Sequence, residues 1–239
     1  ITDSLDGVWP LERYALAARH LGRLNGLYST EQPLPAYPWL SRNLIQQWVV
    51  HLQPLWQSLP WEDPRVLARY PRGNSFHRLL LENERFQSEF ERLPRALCHG
   101  DTYPTNFMSR VLADGQEQTI ALDWALVNIG RIGDDLGQLV FGAHMNLKEP
   151  RREEITRILF DSYMDGLRES GCRVDPQRVR LGFTASAALR VGLFQVLFLS
   201  EELKQNPSAA QEITEPSGAP DCFEVMMANE AYQVLESLG

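Results

Sequence analysis

The stretch HGDTYPTNF, residues 99–107, sets a carboxylate, Asp101, five residues before an amide, Asn106, and a second carboxylate, Asp123, closes the run IALD. Hard oxygen donors of this kind suit Mg²⁺, which takes one or two protein carboxylates and completes its shell with substrate phosphates. A carboxylate left off the metal can accept a proton from a hydroxyl nucleophile. These are the parts of phosphoryl transfer, where positioning and electrostatics carry most of the catalysis. Each residue also has a plainer reading. Asn and Asp are common in turns, Asp123 could simply end a strand, and a histidine such as His99 is often a hydrogen-bonded core residue.

The elements around these residues decide whether they can meet. RALCHGDTYPTNFMSRVLADGQEQTIALDW, residues 95–124, has short apolar runs with β-branched residues on either side of Asp114-Gly115, a hairpin signal. A two-residue turn there puts Phe107 opposite Leu122, Met108 opposite Ala121 and Asn106 opposite Asp123, with Cβ atoms about 5 Å apart. A slip of one residue would part them. Asp101 lies on the loop entering the first strand, so Asp101, Asn106 and Asp123 can converge.

The rest reads as helices. The opening DGVWPLERYALAARHLGRLNGLY is amphipathic, with Leu16, His20, Leu24 and Leu27 at helical spacing and Pro10 suited to a first turn. Further helices are predicted over roughly 40–59, 75–93, 135–146, 151–170, 176–204 and 223–238. Irregular connections are expected at 31–38, 60–73 and 206–221, where prolines interrupt the pattern. Asp175-Pro176 supplies an N-cap and a first-turn proline for the longest helix. The fold class implied is mainly α with a small β-hairpin, an α+β arrangement within one domain over 1–239. Its catalytic loop and hairpin span 98–124, and substrate-side helices span 135–239.

Composition narrows the function classes. The 239 residues carry a formal net charge of -8 and are 44% hydrophobic, and the sequence pI is about 5.2. An acidic chain argues against nucleic acid, whose phosphates call for a basic surface. Cys98, Cys172 and Cys222 are too widely spaced for a metal site, and reduced thiols in a cytoplasmic protein are the expectation. The longest apolar run, Ala185 to Leu199, is interrupted by Arg190 and is too short to span a bilayer, so it reads as a buried helix. No signal peptide and no membrane association are expected. Neither a GxGxxG nor a GxxxxGK phosphate loop occurs, and the only lysines are Lys148 and Lys204.

HGDTYPTNF, IALDW and GRIGDDLGQLV, in this order and spacing, resemble the aminoglycoside phosphotransferase and choline kinase group, which shares the protein-kinase-like fold. ARHLGRLNG is similar to the first helix of that group's C-terminal lobe. The resemblance implies Asp101 as the catalytic base, Asn106 and Asp123 as Mg²⁺ ligands bridging nucleotide phosphates, and His99 as a structural member of the loop. It implies that Asp135 braces the loop, although helix capping explains that residue equally well. Tyr103 stands where the group commonly has a basic or imidazole side chain. The cofactors implied are Mg²⁺ with ATP or GTP, and the partner is a small-molecule hydroxyl acceptor. Glu201 and Glu202 are candidates for attracting a cationic acceptor, against a solvated charge run. Trp39, Trp48, Trp56 and Trp61 are candidates for a pocket or, alternatively, for the core.

The resemblance also implies what this chain lacks. The group's N-terminal β lobe carries a glycine-rich hairpin, a phosphate-binding lysine and its glutamate partner, and none of them is found here. The chain therefore reads as the C-terminal lobe alone, with the nucleotide-binding lobe expected in the full-length protein. The leading expectation is the C-lobe of an ATP-dependent small-molecule O-phosphotransferase, with little activity by itself. A non-catalytic kinase-like binding module is the alternative. A Mg²⁺-dependent hydrolase is weaker, because it would want more clustered carboxylates or histidines.

Overall fold

A computed structural model describes residues 9–147, 152–206 and 222–238. Helix α1 (Leu11–Thr30) starts at Pro10 and lies along α8 (Arg152–Glu169). Its buried face is Tyr14, Ala17, Ala18, Leu21, Gly22, Asn25 and Gly26. The stripe at Leu16, His20, Leu24 and Leu27 is only half-buried. Small residues are why the other face turns inward. A Cβ on Gly22 would lie 2.1 Å from the Tyr163 carbonyl oxygen, and one on Gly166 would lie 1.9 Å from that of Arg19, so each helix backbone packs directly onto the other.

The segment expected as one helix over 40–59 is broken. Ser41–Arg42 form a short strand, β1, before α2 (Leu44–His51) and α3 (Gln53–Ser58). Asn43 sits in the left-handed region at φ 57, and Pro54 opens α3, so neither junction continues a helix. The connection expected over 60–73 contains α4 (Pro64–Arg69), whose first turn is capped by the Asp63 side chain accepting from Arg65 N–H. The third expected helix divides into α5 (Ser75–Leu81) and α6 (Asn83–Phe90).

Two small sheets follow. Strand β2 (Arg95–Cys98) pairs antiparallel with β5 (Asn128–Arg131), and β5 pairs in parallel with β1, giving the order β1-β5-β2. The sequence pattern did not reveal this sheet: NIGR is four residues with a central glycine and no apolar alternation. Strands β3 (Phe107–Val111) and β4 (Glu117–Ala121) form the expected hairpin, but its register differs by one residue. Phe107 faces Ala121 and Met108 faces Ile120. A type I′ turn needs positive φ at both central positions. Here only Gly115 has it, at φ 83, while Leu112 and Gln116 close a three-residue loop. Asn106 therefore lies opposite Leu122, whose N–H donates to the Asn106 carbonyl at 2.8 Å.

The C-terminal half is helical as expected: α7 (Leu136–Asn146), α8, α9 (Pro176–Gln205) and α10 (Phe223–Leu238). Helix α9 runs through the core against α7 and α10. By length and composition it could cross a membrane, yet 78% of its most apolar window is buried inside the fold. It is a core helix, buried because neighbours surround it on nearly every side. No disulfide joins the described cysteines, and Cys98 is fully buried, with burial pushing its thiol pKa well up.

Candidate active site

The loop between β2 and β3 is held from behind by one carboxylate. Asp135, 2% exposed at the start of α7, accepts from His99 N–H (2.9 Å), Gly100 N–H (2.9 Å) and Asn25 Nδ2 (3.0 Å). As the N-cap of α7 it makes no side-chain cap hydrogen bond, so its oxygens serve the loop and not its own helix. The Asp135 carbonyl accepts from the Thr102 hydroxyl, and Gln138 Oε1 accepts from Thr102 N–H at 2.9 Å. Asn25 also donates to the Leu97 carbonyl and accepts from the Tyr163 hydroxyl, tying α1, β2 and α8 to the same point. Gly100 has φ +79, and a Cβ there would lie 2.0 Å from the Leu126 carbonyl oxygen. Only glycine lets the chain pass at that place.

His99 is completely buried. Its Nδ1 accepts from Asp101 N–H at 3.2 Å, and its Nε2 lies 2.8 Å from the Leu122 carbonyl. A backbone N–H only donates and a carbonyl only accepts, so the ring hydrogen belongs on Nε2. His99 thus ties the Asp101 loop to the end of β4. Its ring packs on Trp124 at 4.4 Å and Phe107 at 5.7 Å.

Asn106 ends a 3₁₀ turn over Pro104–Asn106, and its Nδ2 donates to the Asp101 carbonyl at 3.1 Å. That bond fixes the amide orientation and leaves Oδ1 without a hydrogen-bond partner among the described residues. Asp123 follows Leu122, whose N–H is bonded to Asn106 and whose carbonyl is bonded to His99. It is exposed and left-handed at φ 56, with its carboxylate accepting a long bond from Ala125 N–H at 3.4 Å. The one-residue register difference puts Leu122, and not Asp123, opposite Asn106, with Asp123 the next residue along the chain. Among the described residues no group of three or more His, Cys, Asp or Glu is placed to hold a metal. An available amide oxygen and an exposed carboxylate do fit Mg²⁺ that draws its remaining ligands from phosphates and water.

The Asp101 carboxylate is 30% exposed, and its nearest charged partner is Arg190 on α9, with Nη2 4.0 Å from Oδ1. The Arg190 guanidinium lies 4.6 Å over the Trp48 ring. Burial lowers its pKa to about 10, partly offset by Asp101, Asp135 and Asp134. Asp134, half-buried beside Asp135, accepts from Ser186 Oγ (2.7 Å) and Arg131 N–H (2.8 Å), and desolvation of its carboxylate raises its pKa to about 6.

His99, Asp101, Asn106 and Asp135 therefore belong to one hydrogen-bonded assembly, and Asp123 adjoins it in the chain through Leu122, whose carbonyl lies 2.8 Å from His99 Nε2. Glu201 and Glu202 do not. They are exposed near the end of α9, eleven and twelve residues past Arg190, about 17 Å along the helix. Glu201 pairs with Lys204 at 2.6 Å. The further acidic residues of that region, Glu212, Glu215 and Asp221, lie outside the described residues, as does Lys148. Of the four candidate tryptophans Trp39, Trp48, Trp56 and Trp61, only Trp48 reaches the site; Trp56 is in the core, Trp61 stacks on His77, and Trp39 is exposed against Tyr37. Sequence reasoning missed Asn25, Thr102, Gln138 and the site role of Arg190. A lone charge in an apolar helix was the one usable signal, for Arg190.

The arrangement has structural relatives. A choline/ethanolamine kinase family protein from Mesorhizobium loti superposes with a TM-score of 0.52 at 17% identity, covering 96% of this chain and 66% of that one. The fold is choline kinase-like. Choline kinase LicA from Streptococcus pneumoniae matches this kinase-like fold with a TM-score of 0.50 at 13% identity, over 95% of this chain and 64% of that one. The chain thus spans just under two thirds of each relative's length. Residues 72–174, which include the whole loop and hairpin, match the sequence model of the ecdysteroid kinase-like family. No curated protein matches the sequence significantly.

Proposed function

We propose that this chain is the catalytic lobe of a small-molecule O-phosphotransferase using ATP or GTP with Mg²⁺. The observation that carries the reading is the Asp101–Asn106 loop, hung on buried Asp135 and tied through His99 to the residue before Asp123. Asp101 stands at the mouth of the loop, where its carboxylate would take the proton of an acceptor hydroxyl. The acceptor oxygen would bond to the γ-phosphorus as the bond to the nucleoside diphosphate oxygen breaks. Asn106 Oδ1 and Asp123 would hold the metal, which when bound neutralises charge on the phosphates. Asp135, Asn25 and Gln138 keep the loop in one conformation, so the groups need little rearrangement on binding.

A second reading, a kinase-like binding module, draws on the missing cation. No described lysine lies near the loop, since Lys204 is exposed and paired at the far end of α9. We therefore expect the 239 residues alone to show negligible turnover. An acceptor screen on the full-length protein, with ATP and GTP in parallel, separates the two readings. Acceptor-dependent release of nucleoside diphosphate supports the phosphotransferase. Acceptor binding without turnover, and no Mg-nucleotide binding, supports the module.

A further inference from the structure

Between Arg180 and Glu201, Arg190 is the one charged residue of α9. It is 5% exposed, and its Nε has no hydrogen-bond partner among the described residues. It lines a small, partly open pocket with Gly100, Asp134, Asp135 and Gln138. A buried arginine kept for stability normally has its donors met, because desolvation is otherwise uncompensated. Arg131 differs at this atom, its Nε donating to the Phe90 carbonyl at 2.9 Å while its Nη1 has no partner among the described residues. Nothing comparable fixes Arg190 Nε.

What Arg190 does face is Asp101. The backbone of Asp101 is fixed on both sides, its N–H by His99 and its carbonyl by Asn106. Its carboxylate accepts no hydrogen bond from any described residue. An aspartate in that position has three staggered χ1 wells and little to choose among them. The 4.0 Å ion pair to Arg190 Nη2 supplies the preference. The guanidinium cannot swing freely, because Trp48 of α2 covers its face and Phe194 holds Trp48 edge-on at 5.3 Å. A guanidinium held over an aromatic face gains from both its charge and its planar shape, which a compact ammonium does not offer.

We propose that Arg190 is a positioning residue: clamped by Trp48, it holds the Asp101 carboxylate in the single rotamer that meets the acceptor hydroxyl. Part of this rests on the phosphotransferase reading, and part does not. The rotamer of Asp101 can be measured without any turnover.

The test uses the full-length protein with Arg190→Met and Arg190→Lys. Methionine suits an apolar helix, and lysine keeps the charge if the methionine variant folds poorly. Displacement of a catalytic group by about 1 Å can cost on the order of 100-fold. Arg190→Met should therefore lower kcat roughly 10- to 100-fold while the KM for Mg-nucleotide stays within about twofold. Arg190→Lys should recover part of that loss, and Trp48→Leu should lose less than Arg190→Met. In parallel, χ1 couplings or a crystal structure should show Asp101 in one rotamer in the parent and several in Arg190→Met. An unchanged kcat, or one unchanged Asp101 rotamer in the variant, overturns the proposal. If the parent protein transfers no phosphate to any acceptor, the functional reading fails, and the rotamer measurement alone decides the role of Arg190.

Discussion

Removing the Asp135 carboxylate gives the sharpest check on how the loop is held. In Asp135→Ala, the His99 and Gly100 amides each lose a 2.9 Å acceptor at a site that is 2% exposed. The Asn25 amide keeps its bond to the Leu97 carbonyl, so it is left partly satisfied. A buried donor stranded in this way costs about 1–3 kcal/mol. Two of them give a loss of roughly 4 kcal/mol, a large part of the 5–15 kcal/mol that typically holds a domain folded. Urea unfolding should show a lower midpoint with an unchanged slope. Hydrogen exchange should show the His99 and Gly100 amides losing far more protection than amides of α9. A loss below about 1 kcal/mol, with both amides still protected, would refute the assignment of Asp135 as the support of the loop.

Other perturbations probe different contacts. Gly100→Ala combines positive φ with a Cβ 2.0 Å from the Leu126 carbonyl. It should destabilise by about 1–3 kcal/mol in thermal unfolding and displace Asp101. Asp123→Asn in the full-length protein should weaken Mg-nucleotide binding at least tenfold by calorimetry and leave the unfolding midpoint nearly unchanged, because the residue is exposed and asparagine tolerates its left-handed backbone. The Asp134 pKa is raised to about 6, so the folded state binds more protons than the unfolded state between about pH 4 and 6. Its contribution to stability is therefore present in acid and is lost as pH rises through that window, by roughly 3 kcal/mol. His144, with its pKa lowered to about 4 from 6.5 by burial, runs the other way, gaining stability as pH rises from about 4 to 6.5. The two nearly cancel in the wild type, and the pH profile of Asp134→Asn relative to wild type isolates the first.

Local chemistry was legible in the sequence, and long-range partners were not. Asp101 and Asn106 lie on one short loop, so their spacing alone brought them together. The hairpin was legible from Asp114-Gly115, but its register was not, because that dipeptide also fits a three-residue loop with Gly115 alone at positive φ. β1 and β5 were missed because each is too short to carry a pattern and exists only through pairing, Ser41 with Asn128 and Leu97 with Ile129. On α1, leucine spacing pointed to the wrong face, since backbone contact with α8 rewards glycine and alanine over bulk. Arg190 stood out as an interruption of an apolar run, but nothing short of the fold could place it beside Asp101.

The central claim, that Asp101 is the base of a phosphoryl-transfer site, is tested most directly by comparing the full-length protein with its Asp101→Asn variant. The quantity measured is acceptor-dependent release of nucleoside diphosphate. General-base catalysis of this kind contributes about 10²–10⁴-fold, so Asp101→Asn should lower kcat by that factor while Mg-nucleotide affinity and the unfolding midpoint change little. Near-wild-type turnover in Asp101→Asn would contradict the account.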